Sequence, residues 1–167
     1  DILGRAYEYC LAQFAENAEQ AGSHVYFAQT DKEAVQQVIE IFEKRGAQKM
    51  VKSKSMVSEE IDINHALIDH GVEVFETDRE TKFIRGFIRE KFLNADVGMT
   101  GCNFGVAETG TCTLVTNEGN GRMTTSVPNT QIILMGMERI VPSFEALDVM
   151  MSLLVRSSVG SKITSYF

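Results

Sequence analysis

Ala95 to Arg122 reads ADVGMTGCNFGVAETGTCTLVTNEGNGR. A short apolar, strand-like run enters a Gly-rich turn, then a Glu-Thr-Gly. A second apolar run and a second Gly-rich turn follow. The stretch holds six of the chain's 13 glycines. Glycine lets backbone approach backbone or ligand without a Cβ in the way, and it permits φ > 0. Dense glycine between two strand-like runs therefore predicts a site, or crowded backbone, at the ends of neighbouring strands. Core packing alone seldom asks for it.

Outward from this stretch, strand and helix patterns alternate. Leu3, Tyr7, Leu11 and Phe14 recur at helical spacing, which predicts a helix over 3–21 stopped by Gly22. His24 to Ala28 reads as a strand. Thr30 and Glu33 form a capping-box pattern ahead of a helix to about Arg45, with Gly46 at its end. Gln48–Lys52 and Val72–Glu76 read as strands, with a helix between them that Ser58 can cap. A helix over 83–93 follows, then strands at 96–100, 111–116 and 131–137, and a closing helix over 144–157 capped by Ser143. The fold class expected is α/β: a layered, mainly parallel sheet with helices on both faces.

Ligands in such sheets bind outside the carboxyl ends of the strands. Three loops qualify: 53–58, 101–110 and 117–122. In the first, Lys52, Ser53, Lys54 and Ser55 supply ammonium groups, hydroxyls and free N–H groups for a phosphate or carboxylate, or form an ordinary polar loop. In the second, Gly101, Asn103, Gly105, Thr109 and Gly110 surround Glu108. Glu108 can be a base, a nucleophile or a hydrogen-bond acceptor, or it can take backbone N–H bonds and fix the turn. In the third, Asn117, Glu118, Gly119, Asn120, Gly121 and Arg122 form a donor-rich turn. Its Arg122 either grips an anion or sits on the surface of a hairpin. Cys102 has no assignable base partner and reads as a structural thiol.

With 167 residues, one domain over 1–167 is expected. The net charge of −7 argues against a broad nucleic-acid or anionic-membrane surface. No apolar run reaches membrane-span length and no leader pattern opens the chain, so no membrane partner is expected. Three cysteines in no framework spacing suit a reducing cytoplasm. Without C-x-x-C or His pairs at i,i+4, neither a metal nor a cluster site is expected within these residues.

Four segments carry a family resemblance: KSKSMVSEEI (52–61), VFETD (74–78), NADVGMTGCNFGVAETGT (94–111) and VTNEGNGRM (115–123). Together they resemble the LUD domain of the lactate utilization protein B family, iron–sulfur proteins of L-lactate oxidation, and the resemblance extends over essentially the whole chain. It implies a cytoplasmic role in oxidising L-lactate to pyruvate beside companion lactate-utilization proteins. It implies a fold similar to the ribose-5-phosphate isomerase and CoA-transferase-like superfamily, but fold kinship does not transfer a reaction. Family members continue into a ferredoxin-like segment whose cysteines hold four-iron–four-sulfur clusters. That segment is absent here, which suggests a piece of a longer protein. Family members also carry a further segment where this chain runs from Asp78 straight to Phe83, so residues are expected to be missing near 78–82.

Three functions are thus open. The leading one is a LUD domain binding a small anionic substrate or an organic cofactor. In it Lys52, Lys54 and Arg122 hold anionic groups, Glu108 acts in acid–base chemistry or orients the ligand, and the electron acceptor lies elsewhere. The second is an isomerase- or acyl-CoA-transferase-like enzyme acting on a phosphorylated or CoA-linked small molecule. The third is a non-catalytic scaffold for companion subunits.

Overall fold

The computed structural model describes residues 2–77, 85–116 and 119–160. In chain order the elements are α1 (Ile2–Gln20), α2 (Asp31–Arg45), β1 (Lys49–Lys52), α3 (Met56–Glu60), α4 (Ile63–Asp69), β2 (Glu73–Glu76), α5 (Arg85–Leu93), β3 (Val97–Gly101), β4 (Phe104–Val106), β5 (Thr111–Thr113), α6 (Asn120–Ser126), β6 (Thr130–Leu134), a 3₁₀ turn (Met137–Arg139), β7 (Ile140–Val141) and α7 (Phe144–Val159). They form two units. The larger spans Tyr26–Gly101 and Thr116–Leu134, and the described residues of the smaller lie in 2–25, 102–115 and 135–160.

The larger unit is a layered α/β sandwich. Its sheet runs β2-β1-β3-β6 and every pairing is parallel. Side chains alternate across a strand, and the core divides accordingly. Met50, Val97, Met99 and Ile132 face Val38, Ile39 and Phe42 of α2 and Ile63 and Leu67 of α4. Val51 and Phe75 cluster instead with Phe92 of α5. On that second face Gly98 lies under α6: a Cβ there would stand 2.0 Å from the Thr124 carbonyl oxygen. Helices thus cover both faces, as the alternation predicts.

Local chemistry sets the helix ends. Thr30 Oγ1 accepts from the Glu33 N–H at 3.2 Å, and the Glu33 carboxylate accepts from Gln29 N–H at 2.8 Å. Gly46, at φ 62°, closes α2 by donating to the Phe42 and Glu43 carbonyls.

The smaller unit has a three-stranded sheet ordered β5-β4-β7, with β4–β5 antiparallel and β4–β7 parallel. Phe104, Val106 and Val141 pack on Leu147 and Met151 of α7. Ala107 packs instead with Phe14 and Ala18 of α1.

Several local expectations are corrected. Residues 24–28 form no strand; Tyr26 and Phe27 are exposed, and Phe27 spends its carbonyl on the Gln37 side chain. β-Propensity without a partner edge makes no strand. Ser55, not Ser58, caps the helix after β1, which breaks at Asp62 in the left-handed region (φ 52°). The strand at 111–116 ends at Thr113, and the one at 131–137 ends at Leu134. Residues 120–122 open a helix rather than lie within a turn. Residues 78–82, where a segment is expected to be missing, lie outside the described residues, as do Asn117 and Glu118.

Candidate functional site

The order β2-β1-β3-β6 places consecutive connections from β1 and β2 on opposite sides of β1. The chain leaves β1 for β2 on one side, then crosses to β3 on the other. A crevice forms at such a switch point outside the carboxyl ends of the strands. Here those ends are Lys52–Ser55 after β1 and Gly101 at the end of β3. They touch: a Cβ on Gly101 would lie 2.7 Å from Ser55 Oγ.

Lys52 anchors this edge. Its side chain is fully buried, with Nζ donating to Ser58 Oγ at 2.9 Å and pairing with Glu76 Oε1 at 3.1 Å. Register explains the pair, because Lys52 of β1 stands opposite Glu76 of β2. Ser58 Oγ donates onward to the Ser55 carbonyl at 2.7 Å, which ties the loop to the ammonium. A buried charge needs a partner and further hydrogen bonds, and Lys52 has both. It therefore works as an internal strut rather than as a solvent-facing cation. Lys54 and Arg122 are the exposed cations among the candidates.

Buried hydroxyls gather at the same edge. The Ser53 N–H donates to the Met99 carbonyl and the Thr77 N–H to the Lys52 carbonyl, both extending the ladder by one residue. Among the described residues, Ser53 Oγ and Thr77 Oγ1 are buried without a hydrogen-bond partner. Gln131 donates to Thr100 Oγ1 at 3.0 Å, while its Oε1 is unpartnered among those residues. Buried polar atoms of this kind are rare and call for an explanation. The third candidate loop contributes to this unit as well. Gly119, in the left-handed region at φ 78°, precedes α6, whose first turn holds Asn120, Gly121 and Arg122 and has no side-chain cap. A helix joining parallel strands runs against them, so α6 begins on the carboxyl side of the sheet.

The remaining candidates lie in the smaller unit, and each has a local partner. Glu108 Oε1 accepts from the Phe144 N–H at 2.9 Å, at the first turn of α7. Asn103 Oδ1 accepts from the Val115 N–H at 2.8 Å. Thr109 donates to Thr111 Oγ1 at 2.9 Å. Gly110 (φ 67°) presses on α1, where a Cβ would meet Ala18 N at 2.3 Å, and a Cβ on Gly105 would meet the Phe14 ring at 2.9 Å. The glycine density of this stretch therefore serves close helix–sheet contact at Gly98, Gly105 and Gly110.

Glu76, Thr77 and Gln131 escape a reading of the sequence, which offers Ser58 as a helix cap rather than as a partner of Lys52. The one available signal is that β1 and β2 each end an apolar run on a charged residue. A groove of about 160 Å³ opens elsewhere, at the amino ends of β1 and β2. It is bordered by Glu73, whose carboxyl is held low by a hydrogen bond from Lys91 and by that ammonium's charge. Among the described residues no group of three or more His, Cys, Asp or Glu can hold a metal ion, and no helix is long and apolar enough to cross a membrane.

A family model, the LUD domain, matches residues 11–167. Lactate utilization protein B of Shouchella clausii (strain KSM-K16) is 46% identical over 205 residues, covering 95% of this chain and 43% of that protein. The proteins of the same name in Bacillus thuringiensis (strain Al Hakam) and Bacillus cereus (strain AH187) are each 43% identical over 204 residues, with the same coverage. This chain thus spans less than half the length of these relatives. The alignments are longer than the chain's 167 residues, so the relatives carry residues within the matched region that this chain lacks. No solved structure matches significantly.

Proposed function

We infer the role of this chain from its family: it belongs to the LUD domain family, and its curated relatives are named lactate utilization protein B. The reading is that it contributes to L-lactate oxidation to pyruvate, beside companion proteins of that pathway, by binding a small anionic substrate or cofactor. The observation that carries the binding step is the switch-point edge. There the buried Lys52–Glu76 pair holds the Ser53–Ser55 loop in place, and the hydroxyls of Ser53 and Thr77 are buried without partners among the described residues.

A small 2-oxo- or 2-hydroxy-carboxylate suits these groups. Its carboxylate takes charge-assisted bonds from Lys54 and from Arg122, whose planar fork matches a carboxylate. Its oxygen at carbon 2 takes the hydroxyl donors. Oxidising lactate removes a proton and two electrons, so an acceptor is required. The chain's three cysteines cannot supply the four thiolates of a four-iron–four-sulfur cluster.

Titration calorimetry with L-lactate and pyruvate tests the reading. Binding of one of them is expected, weakened on the order of tenfold or more in Lys54→Ala/Arg122→Ala, as follows from losing hydrogen bonds between charged groups. No heat with either ligand, or full affinity in the double variant, would overturn it.

A further inference from the structure

The parallel sheet sorts the groups at its carboxyl edge onto two faces. Lys52 and Glu76 follow the alternation of Met50, on the face that α2 and α4 cover. Beyond them the ladder runs one residue further, with the Ser53 N–H on the Met99 carbonyl and the Thr77 N–H on the Lys52 carbonyl. Ser53 therefore stands between Thr77 and Thr100. Alternation turns all three to the opposite face, that of Val51, Phe75 and Gly98, where Phe92 of α5 and Thr124 of α6 pack. The result is a row of three hydroxyl side chains on adjacent strands, each about 5 Å from the next. Thr77, Ser53 and Thr100 are 0%, 8% and 1% exposed, and the hydroxyls of the first two have no partner among the described residues.

The third hydroxyl is aimed by its neighbour. Gln131 Nε2 lies 3.0 Å from Thr100 Oγ1 and 3.2 Å from the Ile132 carbonyl. A carbonyl only accepts, so the amide group between these two oxygens is the NH2, and Thr100 Oγ1 is an acceptor toward it. The Thr100 proton is thereby directed away from Gln131, and it meets no acceptor among the described residues. Resting on the binding role inferred above, we propose that the row Thr77–Ser53–Thr100 is the seat of the ligand's oxygen at carbon 2. Gln131 is the positioning residue that turns Thr100 toward that oxygen, and Lys52 and Glu76 stay behind the sheet, out of contact with the ligand. A hydroxyl both donates and accepts. The row therefore takes an oxo oxygen by donating to it, and a ligand hydroxyl by donating to it and accepting its proton. It holds a 2-hydroxy acid and a 2-oxo acid alike and selects against an acid with no oxygen at carbon 2.

Calorimetry and thermal unfolding of the full chain test this with L-lactate, pyruvate and propionate, the last lacking the oxygen at carbon 2. L-lactate and pyruvate should each bind about tenfold more tightly than propionate. That ratio should fall toward one in Ser53→Ala and Thr77→Val. Thr77→Val should also unfold no lower than the wild type, because it removes a buried hydroxyl that has no bond to lose. Thr100→Val and Gln131→Met should lower the ratio and Thr100→Ser should keep it, whereas a purely structural part for these residues would weaken all three acids together. An unchanged ratio in Thr77→Val and Thr100→Val, with L-lactate still bound, would overturn the row and leave the binding role standing. A wild-type chain that binds neither L-lactate nor pyruvate would remove both. A ratio lost in Thr77→Val beside full affinity in Lys54→Ala/Arg122→Ala would keep the row and remove the two cations.

Discussion

Lys52 carries its charge in full burial, and two opposed free energies set the consequence. Desolvating an ammonium costs several kcal/mol, and attraction to Glu76 with the bond to Ser58 offsets this only while both partners stand. Lys52→Met should therefore destabilise the chain by about 3–5 kcal/mol, because it removes one partner of a largely buried ion pair. Lys52→Met/Glu76→Leu should recover most of that loss. Urea unfolding of the three proteins checks this, and a double variant no more stable than the single would remove the pair's supporting role. Glu108 is the opposite case, an exposed carboxylate that accepts from the Phe144 N–H. Glu108→Gln keeps an acceptor there, whereas Glu108→Ala removes it. The first should keep its midpoint and ligand affinity, and the second should lose about 0.5–2 kcal/mol, the range of a helix cap. A ligand affinity that collapses in Glu108→Gln would show that the carboxylate does chemistry after all.

Elements long enough to show a period were legible in the sequence, and the short ones were not. α2 and α7 carry apolar residues at helical spacing and end on the expected caps, Thr30, Gly46 and Ser143. β4 and β7 have three and two residues, too few for any alternation to appear, and only pairing with β5 and with each other defines them. α6 was hidden because Gly119-Asn120-Gly121 carries turn chemistry, and the turn is the left-handed residue just before the helix. At the site, Lys52–Ser55 could be read from their place after an apolar run. Glu76 could not, because parallel register joins positions 24 residues apart. Glycine density was legible as crowding, but which helix crowds which strand was not. Gly98→Ala tests that assignment: its Cβ would stand 2.0 Å from a backbone carbonyl of α6, which has no rotamer to turn away. Loss of roughly 1–3 kcal/mol or more is expected in thermal unfolding, as for overpacked cores. Gly71→Ala makes the comparison. It meets no atom within 4 Å and is penalised only by its φ of 81°. If Gly98→Ala cost no more than Gly71→Ala, α6 would not lie on β3 as described.

Over the whole molecule, the chain passes between its two units four times, after Val25, Gly101, Val115 and Leu134. Neither unit is one continuous segment, so a cut at a single junction removes part of one of them. The larger unit depends on its last strand. β6 pairs with β3 along five positions from Val97–Thr130 to Gly101–Leu134, and it supplies Ile132 to the core beside Val97 and Met99. A chain ending at residue 101 lacks both β6 and α6. It leaves β3 as a bare edge, with one face of Gly98 uncovered. A chain of residues 26–134 keeps all four parallel strands, the helices on both faces and both ends of the Lys52–Glu76 pair. It retains 102–115 as a connection between β3 and α6. A connection of that length adds little closure entropy, since the entropic cost grows only with the logarithm of its length. Residues 26–134 should therefore unfold in one cooperative transition by circular dichroism, and residues 1–101 should not. If the larger unit also holds the anion site, 26–134 should bind L-lactate or pyruvate in the same calorimetric titration as the full chain. A cooperative transition without binding would leave the fold assignment standing and move the ligand contacts to residues outside 26–134. A shortened chain with no transition would show that the parallel sheet depends on residues the cut removes.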